Sequence, residues 1–172
     1  TYCRDAYYEG EMLEVYGECI AGGAEIAVHL HEEIKGAGSR FGERDHVEQV
    51  FDDCYRKLDA AGLHPVAYRG GHYAYAPFMN EILEAHEIYA DYSGCPGMDY
   101  PDREAIWTKA PLNAEMIPEN LREPWEGQKP SKVLEIPMGS DGEGYGYESL
   151  LHVEMSPLEN LQRVWNTISA RA

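Results

Sequence analysis

Apolar positions recur at helical spacing in four stretches of this chain and gather into short runs in five others. Over residues 9–20, Met12, Leu13, Tyr16 and Ile20 fall on one side of a helix. A longer helix carries Val47, Val50, Phe51, Cys54, Leu58 and Ala61 on one stripe, and Gly62 stops it. A third has Pro77 in its first turn, with Ile82, Leu83 and His86 further on. The last is signposted by Ser156 as N-cap, Pro157 at the first position and Glu159 closing a capping box. Its expected core stripe is Leu158, Leu161, Trp165 and Ile168.

The short runs read as strands: 25–31, 65–69, 88–92, 133–137 and 149–153. Between them, residues 94–132 read as one long irregular stretch, rich in proline and carrying Trp107 and Trp125. Strands that alternate with helices predict an α/β domain with a mainly parallel sheet, open or curled into a barrel. No repeat or composition shift divides the chain, so residues 1–172 are expected to form a single domain.

In parallel sheets chemistry gathers at the carboxyl ends of strands. His29, His31, Arg69, Asp91 and His152 all map at or near such ends. His29 and His31 are two apart on one strand and therefore share a face, a start for a metal site. Gly70 and Gly71 after Arg69 allow backbone to approach a ligand closely. Asp52 and Asp53 follow Phe51 inside the periodic helix, with Phe51 inward and the acids outward, and so are solvated rather than catalytic. His46, His64, His72 and His86 carry no functional expectation.

Charge narrows the partners. A formal charge of −17 argues strongly against a nucleic-acid backbone or an anionic membrane surface as a partner. No stretch of the sequence is long and apolar enough for a membrane span. Tyrosine makes up 13 of the 19 aromatic residues, and its apolar body with a polar tip suits a carbohydrate-facing cleft. Cys3, Cys19, Cys54 and Cys95 lack metal-ribbon or redox spacing. With Cys19 and Cys54 on apolar helix faces, the set reads as reduced packing thiols and favours a cytoplasmic home.

Taken in order, several segments resemble the polysaccharide deacetylases (carbohydrate esterase family 4). They are Gly23 through His31, then Tyr68-Arg69-Gly70-Gly71-His72-Tyr73, then Ile88 through Ser93. Trp107 with Ala110-Pro111, Val133 through Pro137, and Leu151-His152 continue the series. The resemblance implies a distorted (β/α) barrel and a divalent metal, most often zinc, that helps remove N- or O-acetyl groups from a carbohydrate. It makes His29 a metal ligand, with His31 or Glu33 as the second, Arg69 an orienting residue and His152 the general acid. Tyr73, Asp91 and Trp107 are the expected substrate contacts.

The strand that carries the family's paired aspartates is expected before Thr1, so the sequence reads as beginning inside the domain and the barrel as incomplete at the N-terminus. Two alternatives stand beside the deacetylase: a catalytically inactive carbohydrate-binding or assembly subunit on the same scaffold, and a metal-dependent amidohydrolase acting on a non-sugar amide.

Overall fold

The computed structural model describes residues 10–31, 39–144, 148–152 and 156–171. They form a mixed α/β structure: a five-stranded, mostly parallel sheet with four helices. The first elements are α1 (Glu11–Ala21), β1 (Ala27–Leu30), α2 (Arg44–Ala60), β2 (Ala67–Gly70) and α3 (Met79–Ala85). There follow β3 (Ala90–Asp91), β4 (Asp99–Tyr100), β5 (Ala105–Ile106), β6 (Glu115–Pro118), β7 (Pro130–Glu135) and α4 (Leu158–Ser169). The sheet order is β1-β2-β3-β7-β6, with β6 antiparallel to β7 and the other pairs parallel. Its outer strands β1 and β6 do not pair with each other, so the described strands do not close a barrel.

Register assigns the faces, because partners on adjacent strands point the same way. One row runs Val28, Tyr68, Asp91, Glu135, and all four are fully buried. Helix α2 covers this face: Val47, Phe51 and Leu58 are buried, and the Phe51 ring lies 5.9 Å from that of Tyr68. Asp52 and Asp53 point away as expected. The first meets His86 at 2.8 Å and the second pairs with Arg56. The opposite face carries Ala27, His29, Ala67 and Arg69, and at β1 it is open to solvent.

Five expectations are corrected. The stretch 94–132 is not one long irregular loop; it holds β4, β5 and β6, the last pairing with β7. Segment 149–153 forms no strand, only a bridge between Ser140 and Leu150, and Val153 lies outside the described residues. Helix α4 is capped at Pro157 without a side-chain hydrogen bond, and the Ser156 hydroxyl donates instead to the Leu150 carbonyl. Its expected core stripe is split, with Leu161 and Ile168 half-buried and the other two residues outward. Leu158 is 80% and Trp165 57% exposed, and only Val164 is buried. Cys19 is likewise exposed, whereas Cys54 and Cys95 are buried. Among the described residues no helix is long and apolar enough to cross a membrane.

Candidate functional site

The carboxyl end of β1 meets the turn that follows β2, and three histidines come together there. Alternation along β1 sends Val28 and Leu30 into the core, which leaves His29, and beyond the strand His31, on the open side. Their rings lie 4.9 Å apart and nearly perpendicular. The ring of His72, 41 positions later in the sequence, stands 5.0 Å from His31, again nearly perpendicular.

That turn is held in an uncommon backbone shape. His72 and Tyr73 both adopt positive φ, 53° and 63°, a region that costs non-glycine residues about 1–3 kcal/mol each. Two glycines make it possible. A Cβ on Gly70 would sit 1.9 Å from the Ala74 carbonyl oxygen, and one on Gly71 would sit 2.4 Å from that of Leu30. Gly71 also lies against the His31 ring, so its missing side chain is what lets the turn close on β1. From below, the Trp107 indole N–H donates to the Tyr73 carbonyl at 2.7 Å.

Hydrogen bonding fixes the protonation of two rings. His29 Nδ1 lies 2.8 Å from the Arg69 carbonyl oxygen. A carbonyl only accepts, so Nδ1 carries a proton and Nε2 of the neutral ring is the lone-pair nitrogen. Burial of the imidazole holds its pKa below the ordinary histidine value. The Arg69 carbonyl bond opposes that fall, and the charges of His31, Arg69 and His72 add to it. His29 is therefore neutral at pH 7. At His72 the logic reverses: Arg103 Nη1 donates to Nδ1 at 3.2 Å, which puts the ring proton on Nε2. The Arg69 guanidinium lies 5.3 Å above the Tyr73 ring.

Two imidazoles sharing a tetrahedral zinc have ring centres roughly 5 Å apart, and the His29–His31 pair meets that spacing. A backbone carbonyl behind Nδ1 is also the usual support for a metal-binding histidine. The pair thus fits as two ligands. Among the described residues no group of three or more His, Cys, Asp or Glu side chains is arranged to hold a metal, so His72 extends the cluster without converging on the same point. Glu33 lies outside the described residues.

The remaining expected site residues are placed elsewhere. Asp91 is fully buried on the α2-covered face, where it accepts from the Ser93 hydroxyl at 2.6 Å and neighbours Glu135 in register. Trp107, 1% exposed, packs on Tyr75 and underlies Tyr73 instead of offering a ring to a ligand. His152 is half-buried beside the Ser140–Leu150 bridge, on chain that leaves β7, three places from β1 in strand order. The residues that sequence reasoning passed over are His72 and Arg103. The Gly70-Gly71 pair was the available signal for the first, and nothing local marks the second.

No family model, curated protein or solved structure matches this chain.

Proposed function

We propose that this chain is a metal-dependent hydrolase that removes acyl groups, N- or O-acetyl, from a carbohydrate, built on an incomplete barrel of the polysaccharide deacetylase type. The observation that carries this reading is the His29–His31 pair. Both rings lie on the open side of the sheet, and the Arg69 carbonyl fixes His29 as a lone-pair donor. The ordered motif series of the sequence supports it.

In this reading His29 and His31 hold a divalent metal, most often zinc, with Glu33 as a further candidate. Bound there, zinc would supply Lewis acidity toward the acyl carbonyl and toward water. The chain's own residues do the positioning. Arg69 keeps His29 in the correct tautomer through its carbonyl, and its guanidinium rests on Tyr73 at the rim. The strained His72–Tyr73 turn sets that rim, and Trp107 and the two glycines hold it. Asp91 acts through the core beneath the site.

Cobalt(II) titration of the purified protein, read by its visible absorption, tests the pair. About one metal per chain is expected, with His29→Ala weakening binding tenfold or more. Acetate release from acetylated sugars should be lost in the same variant. Unchanged metal binding in His29→Ala would overturn the assignment. A wild-type chain that binds acetylated sugar without metal or turnover would move the reading to the carbohydrate-binding subunit.

A further inference from the structure

The sheet ends at β6, whose outer side pairs with no described strand. A cleft of about 600 Å³ opens there, lined by Glu115, Met116 and Pro118 of β6, by residues 125–128 of the loop that follows, and by Pro130. One side chain fixes that loop. The Gln128 amide donates to the carbonyls of Asn120 and Pro124 at 2.9 and 2.8 Å, and its oxygen accepts from the Asn120 N–H at 3.1 Å. The wall is therefore formed in advance, and its volume is that of a small-molecule site. Three polar groups of the lining lack partners. Neither Glu115 nor Glu126 makes an ion pair among the described residues. Lys129, the nearest cation in sequence, is committed to Glu119 at 2.9 Å, and no lysine or arginine is among the lining residues. Trp125 is 6% exposed, and its buried indole N–H meets no acceptor among the described residues.

From this arrangement we infer that the cleft is a binding site for an amino sugar, a protonated amine carried on a sugar ring, separate from the His29–His31 pair. The two carboxylates take the ammonium group as charge-assisted acceptors. A ring hydroxyl oxygen supplies the acceptor that the Trp125 N–H lacks. Met116, Pro118 and Pro130 meet the apolar C–H face of the ring. A lysine side chain offers the ammonium without a hydroxyl, and a fully acetylated sugar offers hydroxyls but leaves both carboxylates unpaired. The net charge of −17 draws cations from a distance, and the cleft gives that attraction a place to end. The histidine pair stands four strand steps away in sheet order, roughly 19 Å. The choice of a sugar rests on the hydrolase reading, whose N-deacetylated product is such an amine.

Calorimetric titration of the full chain with the glucosamine tetramer, its fully N-acetylated counterpart and tetralysine tests it. The glucosamine tetramer should bind saturably, and the other two at least about tenfold more weakly. Glu115→Gln and Glu126→Gln should each weaken it about tenfold. Both positions are exposed, so the fold tolerates the change. Trp125→Phe, which removes the N–H, should weaken it about threefold. Glu18→Gln, at an exposed acid on α1, should leave it unchanged. Equal losses in Glu115→Gln and Glu18→Gln would show that net charge and not the cleft holds the amine, and would overturn the proposal. So would tetralysine binding as tightly as the glucosamine tetramer, or no saturable binding at all. Cobalt titration of the same samples separates the two readings. Metal without amine binding refutes this inference alone, and amine without metal binding refutes the hydrolase alone.

Discussion

Replacing Glu135 by glutamine should make the protein more stable than wild type as pH rises. Glu135 and Asp91 are register partners on β7 and β3, both fully buried on the helix-covered face. Asp91 is satisfied by the Ser93 hydroxyl at 2.6 Å and the Ser93 N–H at 3.2 Å, and Ser93 in turn accepts from the Gly70 N–H at 2.8 Å. Glu135 Oε1 accepts from the Gly94 N–H at 2.8 Å, but its buried Oε2 meets no donor among the described residues. A proton held between this carboxyl and that of Asp91 would satisfy it. Burial, with the Asp91 charge added, raises the Glu135 carboxyl well above the ordinary glutamate range. Burial also raises Asp91, against its hydrogen bonds to Glu135 and Ser93.

The folded state therefore holds a proton that the unfolded chain releases near the ordinary glutamate pKa. Its contribution is complete below that value and is lost as pH rises through the folded one. The loss approaches about 1.36 kcal/mol per pH unit for one proton, or about 2.7 kcal/mol over two units. The glutamine amide of Glu135→Gln keeps an acceptor for Gly94 and a donor for Asp91 but has nothing to ionise. Urea unfolding between pH 5 and 9, followed by fluorescence of the buried Trp107 and Trp125, measures the difference. The two proteins should agree within about 1 kcal/mol at pH 5 and diverge in favour of Glu135→Gln above it. Parallel curves across that range would refute the shared proton.

Two further substitutions test the turn that builds the site. Gly70→Ala drives a Cβ to 1.9 Å from the Ala74 carbonyl; it should cost about 3 kcal/mol in a thermal or urea melt, and a cost below about 1 kcal/mol would show that the turn adjusts freely. Trp107→Phe removes the donor to the Tyr73 carbonyl and part of a buried ring, which should cost about 1–3 kcal/mol, and unchanged stability would mean that this bond does not hold the turn. Loss of metal in His29→Ala completes the set.

Periodicity alone located α2, β1 and β2, and placed His29 and His31 on one side of their strand, because side-chain direction follows from the local backbone. The inward Phe51 and outward Asp52 and Asp53 were legible for the same reason. A stripe reports a helix face, however, and not what lies opposite it. Leu158 and Trp165 of α4 obey the pattern and still face outward. Strand ends marked Asp91 as a ligand contact, but only register against β7 shows it paired with Glu135 beneath the site. The meeting of His72 with His31, and of Arg103 with His72, depends on how β2 lies beside β1 and how chain beyond β3 packs back over the turn. Those are contacts between residues more than thirty positions apart. Local sequence dictated which way each side chain points, and tertiary packing decided which side chains meet.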